Sequence, residues 1–319
     1  MRAALGPAGS TIIKKATRFA VLTPLFFLSQ EKKNAIERWL RGREQYRKLR
    51  RADCAIVSFG KSGRTWLRVM MSRFFQAKYG LPEGQLISFD NFHLHNSAIP
   101  RMFFTHDNYI KHYTGNYDSK VDYAGKKVVL LVRHPADVAV SQYYQWQYRM
   151  KPNKVGLNRY PERGQEMPMF DFVTQEWAGL DRTIEFMNGW AEAARDSDDL
   201  LVVRYEDMRA NPEEILGRVL AFIGSPGSPD EIKEAVEFAS FENMRKMETN
   251  STFWLSGGRM KPRDAKNPGS FKTRRGKVGG YRDYFDDGEI AEIDRRIEQQ
   301  LAPVFGYAGA RAAPQAPAA

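Results

Sequence analysis

Three short, nearly unbroken apolar runs, 54–59 (CAIVSF), 128–132 (VVLLV) and 200–203 (LLVV), most narrow what this chain can fold into. A strand with one wet face alternates apolar and polar residues, whereas a run without alternation is buried on both faces. Each run is followed by residues with helical spacing. After the first, Trp66, Leu67, Met70, Met71, Phe74 and Phe75 fall on one helical stripe. Residues 137–148 read as the helix behind the second run, and about 212–222 as the helix after the third. Strands alternating with helices build βαβ units, so the expectation is an α/β fold: a central parallel sheet with helices on both faces. A chain of 319 residues can bury one such core, and 42% apolar with 13% aromatic residues excludes a mostly disordered chain.

The turn after the first run, Gly60-Lys61-Ser62-Gly63, leads into a helix near Thr65. Backbone N–H groups and the helix dipole then converge on one spot, an intrinsic anion site that Lys61 and Arg64 strengthen. The domain is therefore expected to be P-loop-like and three-layered. The nucleotide-hydrolase loop, however, needs a glycine five positions before the Gly-Lys pair, and that position is Ala55. A second strand-to-helix turn carries Arg133 at its start and Ser141 two helical turns on. In open parallel sheets ligands bind beyond the carboxyl ends of the strands, so two anion loops imply a ligand with two separated anionic groups. A third, glycine-flanked cationic loop runs from Arg274 to Tyr281.

The net charge of +11 is uneven: residues 1–51 hold 13 Lys and Arg against three acids, leaving the rest close to neutral. Three regions are expected: a basic, partly apolar N-terminal arm (1–51), the domain (52–307) and a disordered Ala/Pro tail (308–319). Within the arm, residues 19–28 (FAVLTPLFFL) are too short to cross a bilayer, which takes about 20 apolar residues. Shallow membrane contact through residues 12–51 and packing on the domain are both open readings. The single cysteine, Cys54, sits in the first apolar run and is expected to be a core residue.

Taken together, the three loops resemble those of the sulfotransferases that use 3′-phosphoadenosine-5′-phosphosulfate (PAPS), particularly the cytosolic type. That family's phosphosulfate loop, Tyr-Pro-Lys-Ser-Gly-Thr-Thr-Trp, is similar to Phe59-Gly60-Lys61-Ser62-Gly63-Arg64-Thr65-Trp66. Its 3′-phosphate motif resembles Arg133 with Asp137-Val138-Ala139-Val140-Ser141, and its Tyr-Glu-Asp-Met stands intact at Tyr205-Glu206-Asp207-Met208. Ser240, Phe241 and Met244 match a stretch flanking the adenine, and Arg274-Arg275-Gly276 match the Arg-Lys-Gly of the closing loop. The resemblance covers about residues 53 to 285.

The resemblance implies PAPS as sulfuryl donor, no metal and an acceptor with an O–H or N–H group, with glycans, glycolipids and small molecules all open. His106, after Pro100-Arg101-Met102-Phe103-Phe104-Thr105, matches the family's general base. Lys61 would neutralise the bridging oxygen, and Ser62, Gly63, Arg64 and Thr65 would cradle the 5′-phosphate. Arg133, Ser141 and Arg275 would hold the 3′-phosphate, with Arg274 and Gly276 beside them. Trp66 and Phe241 would sandwich the adenine, flanked by Tyr205, Ser240 and Met244. A cytoplasmic enzyme, at the inner face of the membrane if the arm binds it, is expected, with no nucleic-acid partner. Three departures stand out: Phe104 replaces a family lysine, Arg64 a threonine, and Gly280-Tyr281 an Asp-Trp pair. The family's dimerisation signature is not visible in 284–289, so its dimer is not carried over. A P-loop kinase would need the missing glycine and an acid after an apolar strand, where Arg133 and Arg204 stand. A non-catalytic membrane adaptor would not need His106, Lys61 and Ser141. The segments 81–100 and 149–168, with Tyr143, Tyr144, Trp146 and Tyr148, are expected to shape the acceptor pocket.

Overall fold

The computed structural model describes residues 23–162, 165–176, 178–253, 256 and 260–307. The first four residues of the apolar run at 19–28, and the tail from 308, lie outside them. The first long element is a helix, α1 (Gln30–Arg51), capped by Ser29, whose hydroxyl accepts the N–H of Lys32. It leads into β1 (Cys54–Ser58), α2 (Arg64–Tyr79), β2 (Met102–Thr105), β3 (Lys127–Val132) and α3 (Pro135–Tyr144). After α4 (Leu180–Asn188) come β4 (Leu200–Arg204), α5 (Tyr205–Ala210), α6 (Pro212–Phe222), α7 (Pro229–Phe238), α8 (Phe241–Thr249) and α9 (Asp287–Gln300).

The four strands form one parallel sheet in the order β2-β1-β3-β4. Every residue of β1 is buried, and its side chains alternate between two cores. Cys54 and Ile56 join the core under α2 and α6, and Ala55 and Val57 the core under α3, α4 and α9. The helical stripe read after β1 buries Leu67, Met70, Met71, Phe74 and Phe75 completely. Strand β2 carries no strand signal of its own in the reading above; it is a four-residue edge strand registered Cys54↔Met102 to Val57↔Thr105.

Two expectations about the periphery meet structure. Residues 30–51 of the arm pack on the body: Leu49 is buried, Arg38 Nε donates to the Leu157 carbonyl (2.8 Å), and a Cβ on Gly42 would sit 2.3 Å from the Tyr109 carbonyl oxygen. Segment 81–100 places Leu86, Ile87, Phe92 and Ile99 in the core, leaves Leu94 exposed, and contributes nothing to the cavity described next.

Candidate active site

The chain steps from β1 outward to β2, then crosses back to β3 on the other side of β1. That reversal opens a crevice at the carboxyl ends of β1 and β3, where parallel sheets bind ligands. A cavity of about 420 Å³ occupies it. A residue just beyond each strand reaches it: Lys61 three residues past β1, and His106, Arg133 and Tyr205 directly after β2, β3 and β4. Ten lysines and arginines line the cavity against one carboxylate, Asp137, among the described residues, so its ligand is an anion.

The loop after β1 is strained where it meets this space. Lys61 has φ 78°, a left-handed backbone that non-glycine residues rarely adopt and that persists where function requires it. Gly63, at φ 89°, opens α2, and a Cβ there would lie 2.7 Å from the Tyr205 ring. Burial, and next the cation Arg149, holds the Lys61 ammonium down at about 7.

His106 is fixed from both sides. Its Nδ1–H donates to the Ser58 carbonyl (2.8 Å), which leaves Nε2 with the lone pair. Arg64 Nη2 lies 2.6 Å from that Nε2, while Arg64 Nη1 donates to the Thr105 carbonyl. Burial and then the Arg64 charge push the imidazole pKa well below 6.5, with Arg68 and Lys272 adding to the shift. The imidazole is therefore neutral at physiological pH and chemically a base. Phe104, where the family carries lysine, instead lies under the Arg68 guanidinium (3.8 Å to the ring centroid).

The cationic loop closes one wall. Asp137, almost fully buried in the first turn of α3, accepts the N–H groups of Gly279 and Tyr281 (2.9 Å each) and pairs with Arg133 (3.2 Å). Tyr205 Oη donates to the Gly276 carbonyl (3.4 Å), and Gly276 lies against Phe241. Arg275 is paired with Asp283 and donates to Tyr284, while Arg274 bonds Tyr284 and lies 4.0 Å from the Tyr144 ring centroid.

A family model described as "Sulfotransferase domain" matches residues 51–305. The chain belongs to the sulfotransferase family. Cytosolic sulfotransferase 13 of Arabidopsis thaliana is 27% identical over 277 residues, 79% of this chain and 78% of that protein. Sulfotransferase 2A6 of Rattus norvegicus is 24% identical over 179 residues, which span 55% of this chain and 57% of the rat protein. The fold is shared with mouse sulfotransferase SULT7A1, solved in complex with PAP (TM-score 0.52, 20% identity, 81% of this chain and 89% of that one). Retinol dehydratase, solved with androsterone and PAP, gives TM-score 0.52 at 18% identity over 78% of this chain and 80% of its own. The protein is thus a PAPS-dependent sulfotransferase of the cytosolic type.

Its cavity suits such a donor on its own terms: a strained amide-rich loop, an excess of cations, and Arg133 Nε, a buried donor without a partner among the described residues. Of the residues singled out in the sequence, Lys61, Gly63, Arg64, Thr65, Trp66, His106, Arg133, Ser141, Tyr205, Phe241, Met244, Arg274, Arg275 and Gly276 line it together. Ser62 is buried behind the loop, and Ser240 caps α8 by accepting the Asn243 N–H (3.4 Å). Of the four aromatics, Tyr144 reaches the cavity, whereas Trp146 is fully buried and stacks on Phe172. The excursion at 149–168 supplies Arg149, Met150, Asn158 and Tyr160. Lys272, Arg182, Asn108 and Gln142 also line it, unforeseen in the sequence. No group of three or more His, Cys, Asp or Glu residues able to hold a metal occurs among the described residues.

Proposed function

We propose that this enzyme moves the sulfuryl group of PAPS to a hydroxyl or amine of a polar, glycan-type acceptor, with His106 as general base. The observation that carries the reading is His106, whose Nδ1–H is tied to Ser58 and whose Nε2 accepts from Arg64, at the wall of the cavity that Lys61, Arg133 and Ser141 also line; Arg64 would give up that bond for the acceptor's O–H or N–H. The N–H groups of the loop and the start of α2, with the Thr65 side chain, would cradle the 5′-phosphate, and Arg64 would add charge to it. Arg133, Ser141 and Arg275 would hold the 3′-phosphate, Arg275 exchanging Asp283 for it. Trp66 and Phe241 would enclose the adenine beside Tyr205 and Met244.

A polar acceptor is favoured by the neutral polar side chains of the lining. Asn108, Gln142, Asn158, Tyr160 and Arg182 are in the lining, with Tyr160 Oη donating to Gln142 Oε1 (3.3 Å), Gln142 Nε2 to the Gly60 carbonyl (2.9 Å) and Arg182 Nη1 to the Asn158 carbonyl (2.5 Å). Amides and hydroxyls so placed match the alternating donors and acceptors of a sugar better than an apolar ring system. The decisive experiment is calorimetry: 3′,5′-ADP is expected to bind at least about tenfold more tightly than 5′-AMP, the value of one charge-assisted contact to the 3′-phosphate. Equal affinities would sink the reading. A radiolabelled-sulfate transfer screen on lipid and polysaccharide extracts then identifies the acceptor.

A cytoplasmic enzyme that meets its acceptor at a membrane surface is the second part of the reading. Phe26 and Phe27 are 80% and 70% exposed immediately before the basic α1, and Trp39 is exposed on it. Each nearby cation adds about 1 kcal/mol of attraction to an anionic surface, and salt screens it. Deleting residues 1–28 should release the protein from anionic vesicles and spare 3′,5′-ADP binding. Equal sedimentation of full-length and truncated protein would count against membrane contact.

A further inference from the structure

Lys272 lines the cavity from the segment before the cationic loop, in a position that neither its motif nor its neighbours in sequence explain. Its backbone is fixed by Glu248, a fully buried carboxylate on α8. Glu248 Oε1 accepts the Lys272 N–H (2.7 Å), Oε2 the Thr273 N–H (3.0 Å), and Arg149 completes the pair at 3.2 Å. Arg149 in turn donates to the carbonyls of Ser270 and Lys261. The carboxylate is thus spent on the main chain and on Arg149, and it leaves the Lys272 ammonium outside ion-pair distance. Among the described residues, neither Lys61 nor Lys272 has a carboxylate partner or a hydrogen-bond acceptor for its ammonium.

Two ammonium groups lining one cavity without counter-ions repel each other, and an anion between them relieves that repulsion. The groups acting on Lys272 are Arg149 from the turn after α3, Lys61 from the β1 loop, Arg68 from α2 and, in the opposite sense, Glu248 from α8. Burial and these cations hold it down at about 7, as for Lys61. Lys272 and His106 line the same cavity, and the Lys272 charge reaches the imidazole.

Building on the sulfotransferase reading above, we infer that Lys272 is a further catalytic residue, donating to the oxygens of the sulfuryl group in flight while Lys61 serves the departing oxygen. The acceptor oxygen bonds to sulfur as its proton passes to His106 Nε2. The bond from sulfur to the phosphate oxygen breaks, its electron pair stays on that oxygen, and 3′,5′-ADP departs. Lys61 neutralises the departing oxygen, and Lys272 holds the sulfuryl oxygens, whose geometry changes from tetrahedral to planar on the way. A cation that touches only the sulfuryl group discriminates PAPS from 3′,5′-ADP, which a lysine serving the loop alone does not.

The test compares Lys272→Met and Lys272→Arg with wild type. Calorimetry measures PAPS and 3′,5′-ADP binding, and a second assay follows release of labelled sulfate from PAPS with water as acceptor. Lys272→Met is expected to bind 3′,5′-ADP within about twofold of wild type yet lose about tenfold or more in PAPS affinity. Sulfate release should fall by about 10²–10³ and be largely restored in Lys272→Arg. At pH 8 wild type should take up protons on binding PAPS, and Lys272→Met fewer. Parallel loss of both affinities, or unchanged sulfate release, would overturn the assignment. Absence of 3′,5′-ADP binding in wild type would instead overturn the underlying reading.

Discussion

Replacing His106 with alanine is expected to lower sulfuryl transfer by about 10²–10⁴-fold, the usual contribution of a positioned general base, and to leave 3′,5′-ADP affinity nearly unchanged. A base acts on a proton that moves only in the transition state, so its loss appears in kcat rather than in nucleotide binding. No other histidine among the described residues lines the cavity to take over. His134, also at a strand end, is committed elsewhere: its ring stacks on Tyr281 (centroids 5.0 Å apart, 9° between planes) and meets Tyr307 edge-on. The single lining carboxylate, Asp137, already serves two backbone N–H groups and Arg133. Transfer of labelled sulfate from PAPS to the acceptor pool is the measurement, with 3′,5′-ADP calorimetry as the control. Near-normal turnover in the variant would put the base elsewhere.

The parts of this molecule legible in the sequence are those whose physics is local. Strands β1 and β3 stand out because burial on both faces forbids polar alternation, and β4, a half-buried edge strand, because its apolar run is equally unbroken; the loops after them follow directly in the chain. Strand β2 escapes notice because it is a four-residue edge strand after Pro100-Arg101, too short for a pattern of its own. The same holds in the site. Lys61 and Arg133 are found because each follows a legible strand, His106 and Tyr205 because they resemble family motifs, and the sheet brings all four loops together. Lys272 is not, because its setting depends on Glu248, 24 residues away, and Arg149, 99 residues from Glu248. In the sequence it is one more cation beside Arg274 and Arg275. Arg64 is an intermediate case. Its substitution for threonine is visible in the loop, but its contact with His106 exists only once β1 and β2 pair in register.

That contact shapes the dependence of activity on pH. A plot of kcat/KM is expected to be bell-shaped, with its acid limb well below pH 6.5 and its basic limb near pH 7. On the acid side, His106 must be neutral to accept a proton. Burial and the Arg64 guanidinium depress its pKa, so the base stays available until the pH falls far below the ordinary histidine value. On the basic side, Lys61 must be charged to neutralise the departing oxygen, and in the donor-free enzyme it deprotonates at about 7. Bound PAPS supplies the missing counter-charge and raises that pKa, so the basic limb of kcat should lie above that of kcat/KM. Arg64→Thr removes a positive neighbour of His106 and should move the acid limb up toward 6.5. Lys61→Met should lower kcat by about 10²–10³, the loss seen when one preorganised donor to a developing oxyanion is removed. Its remaining basic limb should rise above 7, because Lys272 then loses a cationic neighbour. Rate profiles from pH 5 to 9 for wild type and both variants decide the matter. An acid limb at 6.5 in wild type, or a basic limb unmoved in Lys61→Met, would contradict it.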